Sequence, residues 1–147
     1  MTPAHTVLAF DFGLKRIGIA SGDTLTKSAA PRPAIACERG TPDWMALEGE
    51  VRALAPAVLV VGAPYNADGR EGTLLPAARR FAAELERRFA LPVYLVDERF
   101  SSLEANEALR QRRASGTRRR RVTRGDIDSA AAAVILGRFL QGEGRTA

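Results

Sequence analysis

At 147 residues, with 46% hydrophobic and 27% charged side chains, the chain has the size and composition of one globular domain covering 1–147. No apolar run approaches the roughly 20 residues that span a bilayer, and MTPAHTVLAFDFG lacks the basic and apolar regions of an export signal, so neither a spanning helix, an export signal nor a membrane partner is expected. The formal net charge of +5 favours a polyanionic partner, and the single cysteine, Cys37, excludes an internal disulfide and points to the cytoplasm. Residues 6–12 and 16–22 are two β-rich runs around Gly13-Leu14-Lys15, a hairpin pattern, with Asp11 inside the first run. A third extended run over about 26–36 contains Pro31 and Pro33, so it is expected at an edge. Pro42-Asp43 opens a helix with Trp44, Leu47, Val51 and Leu54 on one face. AVLVVG, 57–62, is a short β-branched run suited to a strand covered on both faces. A second helix is predicted over about 72–89, with Leu75, Ala78, Ala82, Leu85 and Phe89 inward, and PVYLVD, 92–97, is a second buried strand. Residues 102–113 have a helical pattern and end at a break around Ser115-Gly116. The last predicted helix, about 127–141, has Ile127, Ala131, Val134 and Phe139 at helical spacing.

Three antiparallel strands followed by strands alternating with helices imply a mixed sheet with helices on both faces. That order matches the α/β ribonuclease H-like fold with five strands. The positive charge is concentrated in one place. RQRRASGTRRRRVTR, 110–124, holds eight arginines and no acid, so the remainder sums to −3. Such a cluster fits the phosphates of a nucleic acid better than a merely solvated loop.

Three acidic positions stand out. Asp11 lies in the first strand. Asp97-Glu98 ends PVYLVD, at the sheet edge where open α/β sheets place ligands. Asp126 and Asp128 open the last helix. Each has a structural alternative: Asp11 pairing with Lys15 or Arg16, Glu98 with Arg99 or Arg16, and Asp126 or Asp128 serving as helix N-cap. Taken together, clustered carboxylates without histidine or cysteine suit Mg²⁺ or Mn²⁺. Two such ions about 4 Å apart would support phosphodiester hydrolysis. His5, the only histidine, is close to the terminus, which argues against Ser-His-Asp or Cys-His chemistry.

FDFGLKRIGIASGD, VVGAPYNADGREG, VDERFSSLEANEAL and IDSAAAAVIL, in that order, resemble the successive motifs of the YqgF/RuvX family. The resemblance runs from about residue 7 to residue 140. It implies a ribonuclease H-like fold and a nuclease assigned to pre-16S rRNA processing, earlier to Holliday junction resolution. It also implies an acidic, metal-binding triad of Asp11, Glu98 and Asp128, with the 13–18 hairpin and the Asn66-Asp68-Gly69 loop lining the cleft. Two positions depart from the family pattern: Leu14 replaces a threonine, and Ser101-Ser102 a pair of threonines. Ala131 stands where related resolvases carry a fourth acid.

The leading expectation is a metal-dependent nuclease acting on structured RNA, with DNA as a possible substrate, acting as a monomer or weak homodimer. Lys15, Arg16, Asn66 and Arg99 would contact phosphates near the acids, and Arg118, Arg119, Arg120, Arg121 and Arg124 would hold the backbone. A junction resolvase would need a dimer to cut two symmetric strands. A non-catalytic RNA-binding assembly factor would need the arginines but not the acids. The Asp-Phe-Gly turn also occurs in actin- and Hsp70-like ATPases, but those close two such domains around ATP.

Overall fold

The computed structural model describes residues 5–63, 74–97, 123–142 and 145–146. The first hairpin forms as the sequence predicts. β1 (Thr6–Asp11) runs antiparallel to β2 (Arg16–Asp23), with Asp11 opposite Gly18 near the turn and Thr6 opposite Asp23 at the far end. Asp23 Oδ1 then accepts hydrogen bonds from the amides of Leu25 and Thr26, a local turn that an aspartate carboxylate readily forms. The chain returns as β3 (Ala29–Glu38), antiparallel to β2. Pro31 lies opposite Ala20, while β4 (Thr41–Pro42) pairs only with Cys37 and Glu38 at the end of β3. The prolines therefore occupy a stretch of β3 with no strand beyond it among the described residues, where a missing amide costs no ladder bond.

Asp43 caps α1 (Trp44–Leu54), its Oδ1 accepting from the Ala46 amide at 3.2 Å. β5 (Val58–Ala63), α2 (Leu75–Phe89) and β6 (Val93–Asp97) follow, with β1, β5 and β6 parallel. α3 (Arg124–Leu140) precedes β7 (Arg145–Thr146), which is antiparallel to β6. The spatial order is β4-β3-β2-β1-β5-β6-β7. The five expected strands are β1, β2, β3, β5 and β6, so the count of five is too low. β7 adds a sixth strand to the sheet, and β4 a two-residue ladder on β3. Two residues carry no periodicity, so pattern alone does not announce such strands.

Side chains alternate between two cores. Leu8, Phe10, Ile17, Ile19, Leu59, Val61 and Val93 pack with α1 and α2 on one face. Val7, Ala9, Ala20, Val60 and Val96 pack with α3 on the other. Phe81 of α2 centres the first core, its ring 5.1 Å from Phe12, 5.6 Å from Phe10 and 5.9 Å from Trp44. Cys37 borders this core, and burial pushes its thiol pKa up. The predicted inward face of α3 is only partly right. Ala132, Ile135 and Leu136 meet the sheet with Phe139 at their margin, whereas Ile127 and Val134 pack on Ala130 and Ala131 as a separate patch. An alanine-rich helix is apolar around much of its circumference, so its period leaves its rotation open. The helical pattern at 102–113 and the arginine-rich break at 110–122 lie outside the described residues. Among the described residues, no helix is long and apolar enough to cross a membrane.

Candidate active site

The site begins with small side chains on β2. Strand alternation turns Gly18, Ala20 and Gly22 toward α3, and two of these positions admit no larger residue. A Cβ at Gly18 would lie 2.0 Å from the Asp128 carbonyl oxygen, and one at Gly22 would lie 2.3 Å from the Ser28 oxygen and 2.8 Å from Leu136 Cδ2. The backbone of α3 therefore rests directly on β2 at Gly18. The β2–β3 register slips between Ile17 and Ile19, and the Ile19 amide donates to Ser129 Oγ at 3.2 Å. Ser129 is 2% exposed, so its hydroxyl serves to lock the helix onto the irregular strand.

That lock positions two carboxylates. Asp11 faces Gly18 across the β1–β2 ladder, and the Asp128 backbone lies against Gly18 on the helix side. Asp11 shares its strand face with Val7 and Ala9, the face that α3 covers. It is only partly buried, because β1 ends there. The carboxyl ends of β1, β5 and β6 lie along the same edge, where Ala63 pairs with Asp97. This is the edge at which parallel strands commonly present ligand groups.

The start of α3 resolves the alternatives for its two aspartates. Thr123 is the N-cap: its Oγ1 accepts from the Asp126 amide at 3.1 Å, and Asp126 Oδ2 accepts from the Thr123 amide at 2.8 Å. Neither aspartate is the cap, and Asp126 is committed to this box. The helix starts at Arg124, three residues before the predicted 127, because Thr-x-x-Asp completes the capping pair upstream of the apolar pattern. Asp128, further into the helix, accepts a hydrogen bond from Arg16 Nε at 2.8 Å, with side chains 28% and 35% exposed. From the sequence, Arg16 is a candidate partner for Asp11 or Glu98. The pairing with Asp128, 112 positions away, follows only from the docking of α3 on β2.

Asp11 thus lies opposite Gly18 on one side, and the Arg16–Asp128 pair is held by the helix that rests on Gly18 on the other. Lys15 is exposed at the hairpin tip, where its carbonyl accepts from the Cys37 amide at 2.9 Å and the Leu14 carbonyl accepts from Gly40 at 3.1 Å. Arg124 is exposed on the first residue of α3. Glu98, Asn66, Arg99, Arg118, Arg119, Arg120 and Arg121 lie outside the described residues. No group of three His, Cys, Asp or Glu side chains gathers among the described residues. Asp11 and Asp128, whose backbones lie on either side of Gly18, carry hard oxygen donors, a chemistry that fits Mg²⁺ or Mn²⁺ and not a thiolate- or imidazole-seeking ion. Beside them, a groove of about 560 Å³ runs between β3 and the start of α3, lined by Arg16, Arg32, Pro31, Ala36, Gly125 and Asp126 among others. The contribution of Ser129 and of the glycine positions was not read from the sequence. Their signal was the small residue at every second position of IGIASG.

A family model described as "RuvX: Holliday junction resolvase" matches residues 5–142. The chain belongs to the RuvX family. It is 44% identical over 139 residues to a Legionella pneumophila protein named "Putative pre-16S rRNA nuclease", an alignment covering 95% of this chain and 97% of that one. A Salmonella enteritidis protein of the same name is 43% identical over 138 residues, covering 94% and 97%. Among solved structures, Thermus thermophilus RuvC in complex with a Holliday junction substrate superposes with a TM-score of 0.58 at 15% identity, covering 97% of this chain and 99% of that one. A second Thermus thermophilus RuvC structure gives a TM-score of 0.54 at 13% identity. At such identities the likeness is one of fold, and the ribonuclease H-like class expected for a RuvX chain is the class observed.

Proposed function

We propose that the chain is a nuclease that hydrolyses phosphodiester bonds of structured RNA, in the maturation of the 5′ end of pre-16S rRNA. The observation that carries this reading is the placement of the Asp11 and Asp128 backbones on either side of Gly18, near the carboxyl edge of the parallel strands. Family membership and relatives named for pre-16S rRNA cleavage support the substrate. Asp11, Asp128 and Glu98, the residue that follows β6, would hold the Mg²⁺ or Mn²⁺. When bound, such an ion supplies positive charge at the scissile phosphate and makes a water more acidic. The other tasks fall to the chain. Gly18 and Ser129 keep the Asp128 carboxylate in register with Asp11. Lys15, exposed on the hairpin tip, and Arg124, exposed on the first residue of α3, offer cations to backbone phosphate, and the same role is assigned to the arginines at 118–121. Asn66 and Arg99 are assigned to the same cleft by the family pattern. The reading implies an intracellular, cytoplasmic enzyme.

The test is cleavage of labelled pre-16S rRNA and of a four-way DNA junction, side by side, with and without Mn²⁺. Asp11→Asn is expected to abolish metal-dependent RNA cleavage while leaving the melting transition in place. Full activity in that variant would remove the acidic site from the reading. The family's description favours a second reading, junction resolution, and preferential cutting of the DNA junction by a dimer would select it. Complementation of a deletion strain by Asp11→Asn would instead select an RNA-binding assembly factor.

A further inference from the structure

Two arginine–carboxylate pairs flank the groove beside Asp128, and they are built differently. Arg32 grips Glu50 of α1 with both Nε, at 3.1 Å, and Nη2, at 3.3 Å. That two-point grip joins β3 to α1 as a fixed brace. Arg16 meets Asp128 through Nε at 2.8 Å, a one-point contact made at the same arginine exposure, 35%, as the two-point grip of Arg32. A solvent-reached pair of this kind is held weakly. The Arg16 backbone is fixed by its ladder position opposite Ala36, so the guanidinium can leave Asp128 by side-chain rotation alone. The groove it already lines, with Pro31, Ala36 and Gly125 around it, provides the space to turn into.

A dication and a guanidinium on one carboxylate repel each other, so each lowers the other's affinity. We infer that Arg16 is an exchangeable counter-cation for Asp128, pairing with the carboxylate until a divalent cation binds and then turning into the β3–α3 groove. This rests on the reading of Asp128 as a metal ligand. Arg16 is in this sense a positioning residue: it keeps the carboxylate oriented and charge-balanced, and it sets the concentration of cation the site needs.

The experiment is titration of the purified full chain with Mn²⁺ at low ionic strength, following free Mn²⁺ by electron paramagnetic resonance, with no nucleic acid present. Arg16→Gln is expected to bind Mn²⁺ more tightly by on the order of fivefold, the scale of a partly exposed ion pair. Arg16→Lys, which keeps the charge, is expected to stay within about twofold of the wild type. Unchanged or weaker binding by Arg16→Gln, with Asp128→Asn still abolishing Mn²⁺ binding, would overturn the exchange and leave the metal reading standing. Mn²⁺ binding that is absent in the wild type, or indifferent to Asp128→Asn, would overturn both. Melting curves of each variant separate these results from a loss of fold.

Discussion

At the scale of single residues, the site depends on what is missing at Gly18. A methyl group there would overlap the Asp128 carbonyl at 2.0 Å, against backbone that cannot rotate aside. Gly18→Ala is expected to destabilise the protein by about 3 kcal/mol or more, measured by urea unfolding, because α3 must lift from β2. Cleavage should fall with it, even at temperatures where the variant remains folded. Gly49, exposed on α1 with no atom beyond its own stretch of helix within 4 Å of the place a methyl group would take, is the control. Gly49→Ala is expected to stabilise by roughly 0.5–1 kcal/mol through the lower entropy of its unfolded chain. The sequence displays both glycines with equal plainness. It does not distinguish the one pressed against a carbonyl from the one facing water, since only packing defines that contact.

At the scale of elements, α3 delivers Asp128, and its first turn is what orients it. Thr123 and Asp126 satisfy each other's amides there, so Thr123→Ala is expected to cost about 1 kcal/mol in urea unfolding. Asp126→Ala should likewise loosen the helix start but retain metal-dependent cleavage at low temperature, whereas Asp128→Asn should lose it. Comparing the two variants in one cleavage assay checks that division of labour. A pair of aspartates two positions apart left their roles interchangeable in the sequence. The capping box upstream and the guanidinium of Arg16 separate them, and the second of these partners comes from a distant strand.

For the whole molecule, charge is distributed with a purpose that the sum conceals: eight arginines in 110–124 against a remainder of −3. If this cluster holds the nucleic-acid backbone, affinity must fall steeply with salt. Replacing Arg118, Arg119, Arg120 and Arg121 by glutamine is expected to flatten the slope of log affinity against log salt by about 3, near 0.7 per phosphate contact for a single strand. Fluorescence anisotropy with a labelled RNA over a salt series measures it, and an unchanged slope would detach the cluster from binding. Local order was already contained in the sequence: five principal strands, the three helices among the described residues, the hairpin with Asp11 and the edge prolines all follow from periodicity and backbone chemistry acting over a few residues. What tertiary structure alone decided is which groups meet. The partner of Arg16, the rotation of α3 and the placement of Asp11 and Asp128 on either side of Gly18 depend on a helix docking more than 100 positions from the strand it covers. The small residues of IGIASG mark one side of that contact, but its partner is named only by the close packing at Gly18 and the buried hydroxyl of Ser129.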